Sequence, residues 1–275
     1  MQNKFYDLTI IICLYNSESF INTLFKNLKK LDQNKIQVVF VNDGSSDNTK
    51  KELLRFENFK NFKIINQNNK GLGGARNTAI KNSNSDWIAI LDHDDQFTSE
   101  KIEFCNNFKS NNYELNNKIL FANAYLINNN LKTKKFSNDY FIKNKIKLFK
   151  DSIYFNLLKK GCFIVSSSSI INKNIFNNLN GFNESLKVTC DYDFFLRAAK
   201  ICNFQYINEF HCEWFEHDNQ TTNISKFMHY NELVFLYKRE LKNINIFNSS
   251  YFFIYIKLLK YKLKKIILTF AKYGT

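Results

Sequence analysis

Three carboxylates follow directly on an apolar segment near residue 90. Trp87–Leu91 is apolar throughout, and Asp92, Asp94 and Asp95 come within the next four positions. The apolar run predicts a buried strand, and open α/β sheets bind their ligands beyond the carboxyl ends of such strands. Oxygen ligands at this density suit a hard divalent cation, Mn²⁺ or Mg²⁺. The alternative is a solvated, acid-rich turn that opens a helix near Ser99.

Two more groups of interest follow other predicted strands. Tyr15 comes just after Leu8–Leu14, and Asp43 and Gly44 lie in the turn after Val38–Val41. A carboxylate at Asp43 can accept a hydrogen bond from the N–H of a pyrimidine ring, and Tyr15 offers a flat ring for a base to stack on. Asn-Asp-Gly is also good turn chemistry, so this segment alone leaves both interpretations open.

A glycine-rich segment precedes a single arginine in the first half of the chain. Gly71–Gly74 would let backbone approach a pyrophosphate, and Arg76 would neutralise its charge. The segment is not a dinucleotide-binding fingerprint, because it follows the third predicted strand and lacks the G-x-G-x-x-G spacing. It is not a Walker A loop either, because no Gly-Lys-Ser/Thr occurs. The pattern predicts a glycine loop that leads into a short helix around Ala75–Lys81.

Strand and helix signals alternate along the first half of the chain, which predicts an α/β fold with a mostly parallel, doubly wound sheet flanked by helices. The predicted strands are Leu8–Leu14, Val38–Val41, Phe62–Ile65, Trp87–Leu91, Lys118–Tyr125, Phe163–Val165 and Phe204–Ile207. The predicted helices include Asp47–Phe56, Ala75–Lys81, Tyr140–Phe149, Ile175–Leu179 and Asp191–Ala199, and everything from Ser225 onward is expected to be helical.

Taken together and in order, these motifs resemble family 2 glycosyltransferases, which have the GT-A fold. The matching blocks within residues 7–220 are Ile10–Asn16 (IIICLYN), Val41–Asp47 (VNDGSSD), Gly71–Asn77 (GLGGARN), Leu91–Asp95 (LDHDD), Gly181–Glu184 (GFNE) and Cys190–Arg197 (CDYDFFLR). The resemblance implies an inverting, metal-dependent transfer from a nucleotide sugar, most often UDP-linked, to a hydroxyl of a glycan or lipid-linked glycan. Surface polysaccharide or lipooligosaccharide synthesis is the process it implies.

The resemblance also implies a donor site. Asp43, with Gly44 beside it, would read the base while Tyr15 stacks on it, and Arg76 would contact the diphosphate. Asp92 would hold the ribose hydroxyls.

The remaining acids and histidines of the motifs are assigned in the same way. Asp94 would ligate Mn²⁺ or Mg²⁺ between the two phosphates. His93 fills the variable position of the acidic motif and is counted with the donor-binding residues. Asp95 is expected to support the site from behind or to cap the next helix. His217 is expected near the metal or the phosphates.

Asp191 is the candidate general base, which would take a proton from the acceptor hydroxyl as that oxygen attacks the anomeric carbon. Family members have Glu-Asp here, whereas this chain has Cys190 before Asp191. Asp193 is the weaker candidate, because it points elsewhere on a helix. Two alternatives remain: acids favoured by a helix N-terminus, and a catalytically silent protein that only binds nucleotide sugars.

Charge is concentrated at the end of the chain. The 275 residues carry a net charge of +14, and 225–275 alone contribute 10 Lys or Arg against 2 Asp or Glu. Nucleic acid is not expected as a partner, because these lysines alternate with aliphatic residues rather than with stacking aromatics.

Six cysteines without a CxxC pair suggest a reducing compartment, and no signal peptide or membrane span is apparent, so a cytoplasmic location is expected.

The chain is expected to divide into a catalytic domain (1–224, with a nucleotide-sugar half 1–124 and an acceptor half 125–224) and a basic amphipathic helical tail (225–275). Its apolar stripe comprises Phe252, Tyr255, Ile256, Leu259, Leu263, Ile266, Ile267 and Phe270. Such a helix within 250–275 suits an anionic membrane surface and hence peripheral attachment to the inner face of a membrane. The alternatives are docking on the catalytic domain or on a second subunit, as in a homodimer.

Overall fold

The computed structural model describes residues 5–109, 117–128, 131–135, 153–216, 225–245 and 249–273. Its strands are β1 (Leu8–Leu14), β2 (Ile36–Asp43), β3 (Phe62–Gln67), β4 (Trp87–Ile90), β5 (Gln96–Phe97), β6 (Lys118–Asn128), β7 (Leu131–Lys135), β8 (Ile170–Asn172) and β9 (Asn203–Phe215). Its α-helices are α1 (Ile21–Leu28), α2 (Thr49–Glu52), α3 (Gly71–Lys81), α4 (Ser99–Asn106), α5 (Ile153–Lys160), α6 (Lys173–Asn178), α7 (Cys190–Ala198), α8 (Lys226–Lys242) and α9 (Ser249–Tyr273).

The strands form one sheet in the order β3-β2-β1-β4-β8-β6-β9-β5, and β7 pairs with β6. Neighbouring strands among β1 to β4 are parallel, and β6 is parallel to β9. Strands β5, β7 and β8 run against their partners. Six of the nine described strands therefore point the same way, which confirms the predicted α/β class with a mostly parallel sheet.

Both faces of the central strands are buried, as the apolar runs predicted. Ile11 belongs to a cluster that also includes residues of α3, α7 and α8, whereas Ile10 and Ile12 belong to a second cluster with α1 and α4. Successive side chains of a strand point to opposite faces, so an unbroken apolar run is what a doubly covered strand requires. The sheet beneath the carboxyl ends of its strands is thereby packed on both faces.

Two local predictions were wrong. The glycines of Gly71–Gly74 do not form a loop before the helix; they are its first turn, because α3 begins at Gly71. Phe163–Val165 is not a strand; a 3-10 turn at Ser166–Ser168 follows it, and the strand β8 comes afterwards. In β8, Ile170 and Ile171 pair with β4 and are buried, which is where β-branched residues are best accommodated. The predicted helix Tyr140–Phe149 lies outside the described residues.

The two C-terminal helices pack on the same core as the first part of the chain. Leu236 and Tyr237 of α8 and Ile254 and Leu258 of α9 are buried in the cluster that contains the inner side of α7. None of the helices within the described ranges is both long enough and apolar enough to cross a lipid bilayer. The division of the chain at residue 224 stays a prediction.

Candidate active site

Parallel pairing brings the ends of β1, β2 and β4 to one edge of the sheet, and three predicted site residues follow these strands. Tyr15 comes one residue after β1 and is 51% exposed, Asp43 ends β2, and Asp92 follows β4. Gly44 has a φ of 75°, and a Cβ there would lie 2.8 Å from the backbone nitrogen of Asn69. Glycine is therefore required at this turn, for its conformation and for the close approach of another loop.

The carboxylate of Asp43 is buried and holds the entry to α3. Its oxygens accept hydrogen bonds from Gln67 Nε2 at 2.6 Å and from the backbone N–H groups of Lys70 and Gly71, each at 2.9 Å. Because Gly71 begins the helix, one of these bonds satisfies a backbone N–H that the helix itself leaves without a partner. The described structure thus shows Asp43 organising the loop between β3 and α3, next to Tyr15 on the same edge.

Arg76 is a buried cation with unused hydrogen-bonding capacity. It is 1% exposed, and its Nη2 donates to a carboxylate oxygen of Asp92 at 2.6 Å. Burial works to lower the pKa of Arg76, but the negative charge of Asp92, with a smaller contribution from Asp191, raises it above its usual value. Among the described residues, Nε and Nη1 of Arg76 have no hydrogen-bond partner. Buried donors of this kind are rare and favour an anion nearby.

Asp95 and Ser167 connect the acidic motif to β8 and β9. Ser167 Oγ accepts from the backbone N–H of Asp92 at 3.0 Å and donates to Asp95 at 2.6 Å, while Phe215 N–H approaches the other oxygen of Asp95 at 3.4 Å. Burial, followed by the charges of Asp94 and Asp92, raises the pKa of Asp95 well above its usual range. Asp95 therefore supports the motif from within the protein.

Of the two roles expected for Asp95, the structure shows support of the site from behind, and Asp95 does not cap the next helix. Thr98 caps α4 instead, because its hydroxyl accepts from the backbone N–H of Lys101 at 3.1 Å.

The ring of His93 lies against Phe20 with 5.2 Å between the ring centroids. His217 lies outside the described residues.

Asp92 and Asp94 are the acids of the motif that fit a cation. Both are partly exposed, whereas Asp95 is buried. Within the described ranges, no group of three or more His, Cys, Asp or Glu side chains is placed to hold a metal ion. Two carboxylates are nevertheless a typical protein contribution for Mg²⁺, whose other ligands are substrate phosphates and water.

A cavity of about 370 Å³ joins the acidic motif to the candidate base. Its walls include Asp92, Asp95, Thr189, Asp191 and Trp214, together with His229 and Leu233 of α8 and Tyr261 of α9. Tyr15, Asp43, Arg76, His93 and Asp94 are not among the lining residues. Two acids that are far apart in the sequence, Asp92 and Asp191, thus line one cavity.

Asp191 lies in the first turn of α7, partly buried, and accepts a hydrogen bond from the backbone N–H of Tyr192 at 2.7 Å. Burial raises the pKa of Asp191, and the positive charge of Arg76 opposes this shift. Asp193 is turned away and fully buried, where it forms ion pairs with Arg197 at 2.8 Å and with Arg239. A raised carboxyl pKa in a cavity is the environment of a proton acceptor.

Glu232 was not among the predicted site residues, but its hydrogen bonds hold the segment before Asp191 in place. Its carboxylate accepts from the backbone N–H groups of Lys187, Val188 and Thr189 at 2.7, 3.0 and 2.8 Å, and from the Thr189 hydroxyl at 2.9 Å. Glu232 belongs to α8, outside every motif block, so no local pattern marks it. For the hydrogen bond between Ser167 and Asp95, the sequence offered one indication, the run of small residues Ser166–Ser169.

Comparison with known proteins decides the family of this chain. The family model described as Glycosyl transferase family 2 matches residues 9–179, which is well over half of the chain. The chain belongs to glycosyl transferase family 2. It is therefore a glycosyltransferase, and the matched range includes Asp43, Arg76 and Asp92 but ends before Asp191.

Relatives and solved structures agree with this family. The glycosyltransferase is 29% identical over 203 residues to the Escherichia coli protein named UDP-Glc:alpha-D-GlcNAc-diphosphoundecaprenol beta-1,3-glucosyltransferase WfgD, covering 74% of each chain. Its fold is similar to that of S. aureus TarS 1-349 in complex with UDP-GlcNAc (TM-score 0.68, 19% identity, 94% of this chain and 73% of that one). It is also similar to the mannosyltransferase PcManGT from Pyrobaculum calidifontis in complex with GDP-Man and Mn²⁺ (TM-score 0.63, 13% identity, 93% and 70%). The expected GT-A fold with C-terminal helices is confirmed.

Proposed function

We propose that this glycosyltransferase moves a sugar, with inversion, from a UDP-linked donor to a hydroxyl of a glycan acceptor, and that Asp191 is its general base. The observation that carries the proposal is the shared cavity, in which Asp191 faces the acidic motif around Asp92. Burial raises the pKa of Asp191, so its carboxylate is a stronger base than a solvated one.

The donor would lie along the sheet edge. The exposed ring of Tyr15 is available for a base to stack on, beside Asp43, and Asp92 would meet the ribose. The charge of Arg76, whose Nε and Nη1 have no hydrogen-bond partner among the described residues, would attract the donor diphosphate. UDP-Glc and UDP-GlcNAc in the names of two similar proteins support a UDP sugar, whereas the third is a complex with GDP-Man.

Asp94, with Asp92 beside it, would hold Mn²⁺ or Mg²⁺. When bound, the ion stabilises negative charge on the departing nucleoside diphosphate. The complex of PcManGT with Mn²⁺ supports a divalent ion for this fold.

The reaction needs one displacement. Asp191 accepts the proton of an acceptor hydroxyl, that oxygen bonds to the anomeric carbon, and the bond from this carbon to the donor phosphate breaks. Cys190 takes no part in this transfer, because burial raises the pKa of its thiol to about 12 and keeps it neutral. A lipid-linked glycan, as in the name of WfgD, is the acceptor class that we favour, in surface polysaccharide or lipooligosaccharide synthesis.

Asp191→Asn tests the base. The variant keeps the size of the side chain but cannot accept the proton, so we expect a loss of turnover of at least 10²-fold, in line with general base catalysis. Donor binding, measured by calorimetry with Mn²⁺ across a panel of nucleotide sugars, should be retained. Asp86→Asn, at an exposed aspartate outside the cavity, is the control and should keep full activity.

Two results would contradict the proposal. Undiminished turnover in Asp191→Asn would assign the base elsewhere. A wild-type protein that binds a nucleotide sugar, yet neither hydrolyses nor transfers it, would identify the catalytically silent alternative.

A further inference from the structure

The apolar stripe of α9 points away from the protein. Helix α9 packs inward through Ile254 and Leu258, which are 0% and 4% exposed, and through the partly buried Tyr261. The side chains of the stripe predicted from the sequence, which we call the outer stripe, are exposed by 42–72%. The outer stripe consists of Phe252, Tyr255, Ile256, Leu259, Leu263, Ile266, Ile267 and Phe270. The helix therefore docks on the chain through the face opposite to its apolar one.

The outer stripe is continuous and long. A helix rises 1.5 Å per residue, so the stretch from Phe252 to Phe270 extends for about 27 Å. Single apolar residues scattered over a surface are common, but a contiguous apolar face of this length indicates a surface that binds a protein or a membrane.

Positive charge accompanies the stripe. Residues 249–273 contain six lysines and no aspartate or glutamate. Lys264 Nζ lies 3.3 Å from the Tyr230 hydroxyl, and Lys265 Nζ lies 2.7 Å from Asn231 Oδ1, so these two lysines face α8. At 100° per residue, Lys260 and Lys262 fall on the two borders of the outer stripe.

We infer that the outer stripe of α9 lies on an anionic membrane surface, with its apolar side chains among the upper acyl chains and Lys260 and Lys262 at the lipid phosphates. Apolar residues flanked by lysines are the pattern of helices that lie in a bilayer interface. Helix α9 does not qualify as a membrane-spanning helix, so it lies along the surface.

A second copy of the chain fits the stripe less well than a bilayer. In a two-fold symmetric dimer the same surface meets itself, so each α9 would bring lysines against lysines with no acid on either helix. Anionic headgroups instead complement this charge, and each lysine near such a surface contributes about 1 kcal/mol.

The same helix contributes to the cavity. Tyr261, on the inner face of α9, lines the space that contains Asp191. A protein held by the outer stripe would therefore work close to the bilayer, where a lipid-linked acceptor is found. This last consequence rests on the proposed function, whereas membrane binding itself does not.

Sedimentation of the full chain with vesicles tests the inference. We expect binding to vesicles that contain about one third phosphatidylglycerol in phosphatidylcholine, little binding to pure phosphatidylcholine, and weaker binding at higher salt. Lys260→Gln with Lys262→Gln should lower the partition coefficient about 30-fold, from about 1 kcal/mol for each lysine. Leu263→Glu should lower it at least tenfold.

Leu54→Glu is the matched control, because Leu54 is exposed to 54% but lies far from α9 in the sequence, in the segment after α2. It should bind vesicles as the wild type does, and circular dichroism should show that every variant is folded. Equal binding of Leu263→Glu and wild type, or no binding of the wild type to anionic vesicles, would overturn the inference. A micromolar dimer that Leu263→Glu dissociates, seen by sedimentation velocity, would assign the stripe to a second copy and overturn it too.

Discussion

Removing the Glu232 side chain should release the segment in front of the candidate base. Its carboxylate accepts three backbone N–H groups and the Thr189 hydroxyl, all from residues 187–189, directly before α7. Glu232→Ala removes all four bonds at once. Glu232→Gln keeps one acceptor oxygen but places an amide N–H group opposite other donors, so it should have an intermediate effect.

The expected loss of stability follows from which donors are buried. Lys187 is exposed, so water can replace its lost bond, whereas Thr189 is 2% exposed and its N–H and hydroxyl would both lack a partner. An unsatisfied buried group costs about 1–3 kcal/mol, so Glu232→Ala should lower the free energy of unfolding by about 2–6 kcal/mol. For a chain of this size, about 4 kcal/mol corresponds to a fall of about 10 °C in Tm.

Denaturant and thermal unfolding measure this change, and steady-state kinetics measure its effect on the site. Because the fastened segment leads into Asp191, kcat should fall more than the affinity for the donor. Glu103→Ala, at an exposed helical glutamate, should change stability by no more than about 0.5 kcal/mol. Equal stability of Glu232→Ala and that control would refute the supporting role of Glu232.

Three further outcomes follow from the site and its supports. Because burial raises the pKa of Asp191, its carboxylate is lost at a higher pH than a solvated one, so kcat/KM should fall as the pH drops through that raised pKa. A profile of kcat/KM that stays flat down to the pH at which the protein unfolds argues against this base. Asp92→Asn should destabilise the protein by about 3 kcal/mol, because it leaves the buried Arg76 without its counter-ion. Arg76→Met should lower the free energy of unfolding by less, because the Asp92 carboxylate that it leaves unpaired is partly hydrated. Equal losses of stability in denaturant unfolding would contradict this asymmetry. Gly181→Ala should be more destabilising than Gly161→Ala, although both glycines have a positive φ. A Cβ at Gly181 would lie 2.4 Å from Asn77 Oδ1, whereas a Cβ at Gly161 would have nothing within 4 Å. Thermal unfolding should therefore show the lower Tm for Gly181→Ala.

The parts of the fold that were predictable are those with local causes. Leu8–Leu14 reads as a doubly buried strand because every residue of it is apolar or β-branched, and it is β1 as expected. The strand predicted at Phe163–Val165 was wrong because an apolar triplet has no periodicity, and only pairing with β4 selects Ile170–Asn172 as β8. The glycines of α3 were assigned to a loop because glycine has a low helix propensity, which close packing against the segment around Asn183 overrides.

By itself, the sequence determined the family, the sheet edge at which Tyr15, Asp43 and Asp92 lie, and the amphipathic character of α9, because each depends on residue types at short spacings. Only the tertiary structure decided that Glu232 fastens the approach to Asp191 and that the outer stripe faces away from the core. A helical pattern defines two faces but does not say which one the rest of the protein covers. In this chain α8 covers the face that carries Ile254 and Leu258, and the more apolar face remains exposed.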